Sequence, residues 1–315
     1  MVFTKSRTNL EKGDYFLSKL VDFVLGFLKP FYSLCNKSVS FLAQSSIFIA
    51  LICFMLVYFS FLLYDISEDF NLLLSSFFIT FTIYGLDKVS NIKEDSINLP
   101  ERAGFIYKYR KIITVSIVVS YMSALYFSVL KNPYAVLVVH FPLFIGLIYS
   151  IKILNIRLKD ITGIKNIVVS LSWTVVGTFM PLVVSFRPFT EILCMFYYLF
   201  IKFFINGILF DVRDIEGDRI NGVITIPVFI GLKKTKNILL LLNSTLIPFI
   251  ILSYLKGFFR EYIFVLTFTI FYGYWYILHF CSGSRKIGKS IDLLVDGEWI
   301  LVVIITVIFT KKILF

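Results

Sequence analysis

Apolar runs, each about as long as the hydrocarbon core of a bilayer is thick, constrain this chain more than any other feature. They fall at roughly 46–64, 70–86, 112–130, 133–151, 164–185, 190–210, 237–255, 261–280 and 297–315. A helix rises 1.5 Å per residue, so about 20 apolar residues cross a core roughly 30 Å thick. In lipid every backbone N–H and C=O must be satisfied internally, which leaves helices or closed barrels. Alternating periodicity is absent from the runs, and that excludes the barrel. Composition agrees: mean hydropathy is +0.86, with 58% hydrophobic and 16% charged residues, more apolar surface than a soluble 315-residue chain could cover. The expectation is an all-α integral membrane protein of about nine transmembrane helices in one bundle, residues 45–315, preceded by a polar segment, residues 1–44.

Charge orients the bundle. With the N-terminus inside, the N-terminal segment and the loops after the second, fourth, sixth and eighth runs hold 24 Lys and Arg. The opposite side holds six, and Lys202 lies within a run. Positive residues gather on the cytoplasmic side, so a multi-pass protein of the cell membrane with a cytoplasmic N-terminus is expected. The net charge of +11 is then mostly a topology signal, aided by anionic headgroups, and gives no support for nucleic-acid binding. Residues 14–29 carry polar side chains at helical spacing before Pro30, as an interfacial amphipathic helix would. The first apolar stretch follows a charged segment with no small-residue cleavage site, so no signal peptide is expected. Cys35, Cys53, Cys194 and Cys281 show no paired spacing and read as small apolar residues.

Two acidic clusters carry the chemistry. Asp87-x-x-x-Asn91-x-x-x-Asp95 follows the second run, and Asp211-x-x-Asp214-x-x-x-Asp218 follows the sixth. Steps of three and four keep helical side chains on one face, so each cluster forms a one-sided column of oxygen ligands. Such ligands suit Mg²⁺, usually held by a few carboxylates together with substrate phosphate oxygens. Four runs separate the clusters, so both face the same side of the membrane. Unneutralised acids gathered there would repel one another, and bound cations resolve the conflict.

The flanks of both clusters carry a resemblance. YGLDKVSNIKEDSINLPER is similar to the first aspartate-rich motif of the UbiA superfamily of intramembrane prenyltransferases, including a tail of Asn98, Pro100 and Arg102. FDVRDIEGDRINGVITIPVFIG resembles the second motif, with its trailing Thr225, Pro227 and Gly231, and YSIKILNIRLKDITGIKN resembles the family's basic loop. The first motif departs from the usual order: Asp87 and Asn91 stand where the family has Asn and then Asp. Charge is unchanged, and which member of the trio touches metal stays open.

The resemblance implies transfer of a polyprenyl group from a polyprenyl diphosphate to a lipophilic or membrane-surface acceptor. The site would lie on the cytoplasmic side, beside an apolar lateral groove for the isoprenoid tail. Mg²⁺ held by Asp87, Asn91, Asp95, Asp211, Asp214 and Asp218 would bridge the diphosphate. Arg102, Lys152, Arg157, Lys159, Lys165 and Arg213 are the candidate cationic partners, Lys159 and Lys165 foremost. Tyr149, next to the basic loop, is the aromatic candidate for steadying an allylic cation. The wording of both motifs resembles archaeal-type members, which favours geranylgeranylglyceryl phosphate as acceptor, with an aromatic or quinone precursor as the alternative. A reading from another class is a polytopic transporter with a cytoplasmic cation site. Against it, the acids gather at one interface rather than at the midplane. Three further polar residues are ambiguous by sequence. Lys202 is an intramembrane cation on the face opposite Asp211, suited equally to function or to pairing between helices. Asp296 and Glu298 open the last run, for acceptor binding or simply as an acidic helix start. His140 and His279 read as structural.

Overall fold

The computed structural model describes residues 45–92, 96, 100–150, 152–153, 156–157, 161–220, 222–283 and 290–310. The chain divides into two compact units, Met1–Ser45 and Ser46–Phe315. The interfacial helix expected within residues 14–29 lies outside the described residues.

The second unit is helical. Its elements are α1 (Ile47–Leu63), α2 (Phe70–Ser90), α3 (Pro100–Lys108), α4 (Arg110–Lys131), α5 (Tyr134–Ser150), α6 (Ile164–Phe179), α7 (Phe189–Ile220), α8 (Ile226–Ile230), α9 (Leu232–Ser244), α10 (Leu246–Lys256), α11 (Ile263–Phe280) and α12 (Glu298–Thr310). A two-residue antiparallel pair, β1 (Lys152–Ile153) with β2 (Ile156–Arg157), lies between α5 and α6. Six stretches are long and apolar enough to cross a membrane: Phe70–Ser90, Arg110–Lys131, Ile164–Val183, Phe189–Ile220, Leu232–Lys256 and Arg260–Phe280. Ile47–Leu63 and Tyr134–Gly146 are shorter apolar helices, so among the described residues six stretches meet the length and composition of a crossing, against about nine read from sequence. The run at 237–255 is broken between Ser244 and Leu246 into α9 and α10.

Burial sorts the helices. Nearly every residue of α1 from Ile49 to Leu63 is buried, the pattern of a helix enclosed by its neighbours. In α4, Ile112, Val115, Val118, Val119, Met122 and Val129 are exposed, which is the apolar stripe a membrane helix turns to lipid. The opposite face of α4 packs closely on α2. There Ser75 Oγ and Ser128 Oγ lie 2.6 Å apart, Ser75 also donates to the Ala124 carbonyl, and Gly85 sits where a Cβ would meet Ile117 at 2.7 Å. Small residues let helices approach in lipid, where the hydrophobic effect gives no preference for contact between them.

Chain direction fixes the ends of the bundle. Lys131, at the end of α4, pairs at 2.9 Å with Asp69, which caps the start of α2 by accepting from the Leu72 N–H. The C-terminal end of α2 is therefore at the opposite side from the α4–α5 turn. An open, mainly apolar depression of about 400 Å³ lies at that turn, lined by Asn132, Tyr134, Phe141, Phe179 and Phe186 among others. It is remote from the acidic segments.

Candidate active site

The second acidic segment sits at the end of α7, a helix of 32 residues. At 1.5 Å per residue that is roughly 48 Å, well beyond a hydrocarbon core of roughly 30 Å. The excess falls at the C-terminal end and carries Asp211, Asp214 and Asp218 to the level where charge is least costly. α6 runs antiparallel and begins at this end after Gly163, whose left-handed conformation (φ 82°) turns the incoming loop into the helix. Thr162 donates to the Ile224 carbonyl at 2.8 Å and docks that loop on the segment following α7.

Each carboxylate of the segment has a different environment. Asp211 is buried: Lys165 Nζ donates to its Oδ1 at 3.1 Å and Asn166 Nδ2 to its Oδ2 at 2.8 Å. Gly207 makes room for Asn166, since a Cβ there would stand 3.3 Å from the amide nitrogen. Asp214 is gripped in a fork, Arg213 Nε at 2.8 Å and Nη2 at 2.9 Å. Asp218 is buried, and its Oδ2 has no hydrogen-bond partner among the described residues. At the end of α2, Asp87 is exposed and accepts at 2.7 Å from Asn91 Nδ2, so the four-residue step does place this pair on one face.

A third contribution comes from the C-terminal segment. Asp292–Asp296 forms a π-helical turn before α12, the kind of irregularity often found at functional sites. Arg213 Nη1 reaches Asp292 Oδ1 at 3.4 Å. Burial holds the Asp292 carboxyl above the usual range, against the pull of Arg213, then Arg102 and Lys88. Burial, and then the charge of Asp292, hold Asp296 well above it too. Cations from both acidic segments thus bear on one carboxylate. Asp292 carried no expectation from sequence, although Asp292-x-x-x-Asp296 repeats the step of the first cluster.

The expected residues therefore fall into groups. Asp211 meets Lys165, Asp87 meets Asn91, and Arg213 meets Asp214 while Arg102 lies near Asp292. Asp95, Asn98 and Lys159 lie outside the described residues, as do the side chains of Tyr149, Lys152 and Arg157. Lys202 is resolved in favour of helix pairing. Fully buried, it lies 2.6 Å from the equally buried Glu298 and donates to Tyr276 Oη at 2.9 Å and to the Thr269 carbonyl at 3.1 Å. Glu298 is thereby a partner of α7 in the bundle interior. His140 bonds Tyr121 and its own helix, in keeping with a structural role.

Among the described residues no three His, Cys, Asp or Glu side chains are grouped closely enough to hold a metal alone. Mg²⁺ does not require such a cage, because one or two carboxylates plus substrate phosphates commonly suffice. The donors here are all hard oxygens, and the unpartnered Asp218 Oδ2 is one poised for a cation, so the residues fit that ion.

No curated protein matches the sequence closely. Among solved structures, a UbiA homologue from Archaeoglobus fulgidus bound to GPP and Mg²⁺ superposes with a TM-score of 0.65 at 15% identity, covering 85% of this chain and 98% of that one. An apo UbiA homologue from Aeropyrum pernix K1 gives 0.63 at 13% identity, covering 84% and 98%. A digeranylgeranylglyceryl phosphate synthase gives 0.55 at 16%, covering 88% and 99%. These likenesses establish a shared fold. Residues 70–288 match the UbiA prenyltransferase family, a stretch that contains both acidic segments and the basic loop, and the chain belongs to that family of membrane prenyltransferases.

Proposed function

We propose that this prenyltransferase moves a polyprenyl group from its diphosphate to a membrane-associated acceptor, with Mg²⁺ as cofactor, at the cytoplasmic ends of α2 and α7. The observation that carries the reading is the Lys165–Asp211–Asn166 contact. It brings the basic loop onto the second acidic segment at the end of the bundle to which α2 delivers the first. Asp87, Asn91, Asp95, Asp211, Asp214 and Asp218 are the residues that would hold the metal. When bound, the ion supplies charge neutralisation for the departing diphosphate. Lys165 is half exposed and can share its charge with a phosphate oxygen, and Arg102, Lys152, Lys159 and Arg213 are the other cationic candidates. They oppose the negative charge that develops as the C–O bond breaks, which lowers the barrier to ionisation. The allylic cation left behind needs shielding from water, with Tyr149 the aromatic candidate. The acceptor's lone pair or ring carbon then forms the new bond and releases its proton.

We favour geranylgeranylglyceryl phosphate as the acceptor, consistent with the archaeal-type wording of both motifs and with the fold shared with a digeranylgeranylglyceryl phosphate synthase. The A. fulgidus homologue bound to GPP and Mg²⁺ supports the donor class and the cofactor. An N-terminus on the cytoplasmic side follows from the distribution of Lys and Arg. The test is direct: purified protein should bind a prenyl diphosphate with Mg²⁺ and not with EDTA, and Asp95→Ala and Asp218→Ala should each abolish turnover. Wild-type activity in either variant would remove that residue from the site.

A further inference from the structure

α7 and the C-terminal segment are tied at two levels. Deep in the bundle Lys202 meets Glu298 at 2.6 Å, and at the site level Arg213 meets Asp292 at 3.4 Å. Lys202 and Arg213 are 11 residues apart, about three turns, so both lie on one face of α7. Between Asp292 and Glu298 the chain makes its π turn and passes through Gly297, where a Cβ would collide with the Leu293 carbonyl oxygen. That turn sets where Asp292 stands relative to Glu298.

The Arg213 guanidinium has little freedom. Its side chain is 8% exposed, lies over the Phe210 ring at 5.0 Å and uses Nε and Nη2 on Asp214. Those contacts come from α7 itself. Nη1 reaches across to Asp292 on another element, and the same carboxylate lies within electrostatic reach of Lys88 and Arg102 beside the first acidic segment.

Resting on the function proposed above, we infer that Asp292 is a positioning residue for the diphosphate site: it orients Arg213, and through it Asp214, and draws the cations of both acidic segments toward one point. With Asp292 in place, the Arg213 charge is shared between two carboxylates, and Asp214 is left able to exchange its partner for Mg²⁺. Without it, the guanidinium loses the carboxylate that meets Nη1 and is left to hold Asp214 more tightly. Asp214 is then less able to exchange that partner for a cation, which weakens cation binding. Residues that orient metal ligands from behind typically matter 10–100-fold for metal affinity.

The experiment is calorimetric binding of inorganic pyrophosphate to the full chain in nanodiscs as Mg²⁺ is varied, for wild type, Asp292→Asn, Arg213→Lys and the double variant. Asp292→Asn should raise the Mg²⁺ midpoint at least tenfold, and the double variant should be little worse than Arg213→Lys, because Asp292 acts through that arginine. A midpoint within twofold of wild type, or effects that add in the double variant, would overturn the inference. If Asp292→Asn does not fold, Asp292→Glu carries the test: it keeps the charge, moves it by one methylene, and should still raise the midpoint at least threefold. A wild type that binds pyrophosphate equally with and without Mg²⁺ would overturn the proposed function, and this inference with it. Normal wild-type binding with an unshifted variant would sink the inference alone.

Discussion

Lys202→Met tests the buried interior most severely. Lys202 and Glu298 are both fully inaccessible and 2.6 Å apart, and Lys202 also donates to Tyr276 Oη and the Thr269 carbonyl. Replacing the lysine with a residue of similar length leaves a buried carboxylate without its cation. Breaking such a pair costs about 3–5 kcal/mol, largely the desolvation of the remaining charge. For a domain of this size each kcal/mol moves the melting temperature by about 2–4 °C, so the variant should melt at least 6 °C lower. Replacing both partners with apolar residues, Lys202→Met with Glu298→Leu, removes the stranded charge and should restore most of the loss. Thermal unfolding in nanodiscs, followed by tryptophan fluorescence, reads the wild type, both single variants and the double. A single variant within about 1 kcal/mol of wild type, or a double variant as unstable as the two singles added, would refute the pairing.

Two further outcomes follow from the site. Lys165→Ala should lower the melting temperature by less than Lys202→Met, because the lysine is half exposed and Asn166 still donates to the buried Asp211 carboxylate. The same variant should weaken Mg²⁺-dependent geranyl diphosphate binding about tenfold or more, the worth of a charged hydrogen bond, and equal affinity would remove Lys165 from the diphosphate site. Asp296→Asn should raise the melting temperature at pH 8. The half-buried carboxyl is held well above its usual value, so the folded state binds the proton more tightly and stability declines as pH rises past about 4. Below that pH both states carry a neutral acid and the gain should disappear, so a gain independent of pH would contradict the burial of a charge.

Much of this architecture is legible in the chain because lipid leaves so few options. The apolar runs locate the helices, and the three- and four-residue steps of Asp87–Asn91 and Asp211–Asp214–Asp218 mark the acidic segments. The break at Thr245 is not signalled, since LLLLNSTLIPFIIL is apolar enough on both sides to read as one span. Pairing across elements was beyond periodicity. That Lys202 meets Glu298 depends on how α7 and α12 cross, and a sequence with 31 cations offers each acid many partners. Asp292 was hidden for another reason: its four-residue step to Asp296 resembles an ordinary acidic helix start, and only the π turn and the reach of Arg213 distinguish it.

The central claim, that the two acidic segments form one Mg²⁺-dependent prenyl diphosphate site, is tested most directly by pyrophosphate release. Purified protein in vesicles is given geranylgeranyl diphosphate and native membrane lipid extract, with Mg²⁺ titrated against EDTA and products weighed by mass spectrometry. The account predicts Mg²⁺-dependent pyrophosphate release matched mole for mole by a prenylated acceptor. Movement of Mg²⁺ across the vesicle with no pyrophosphate released would contradict it and identify a transporter instead.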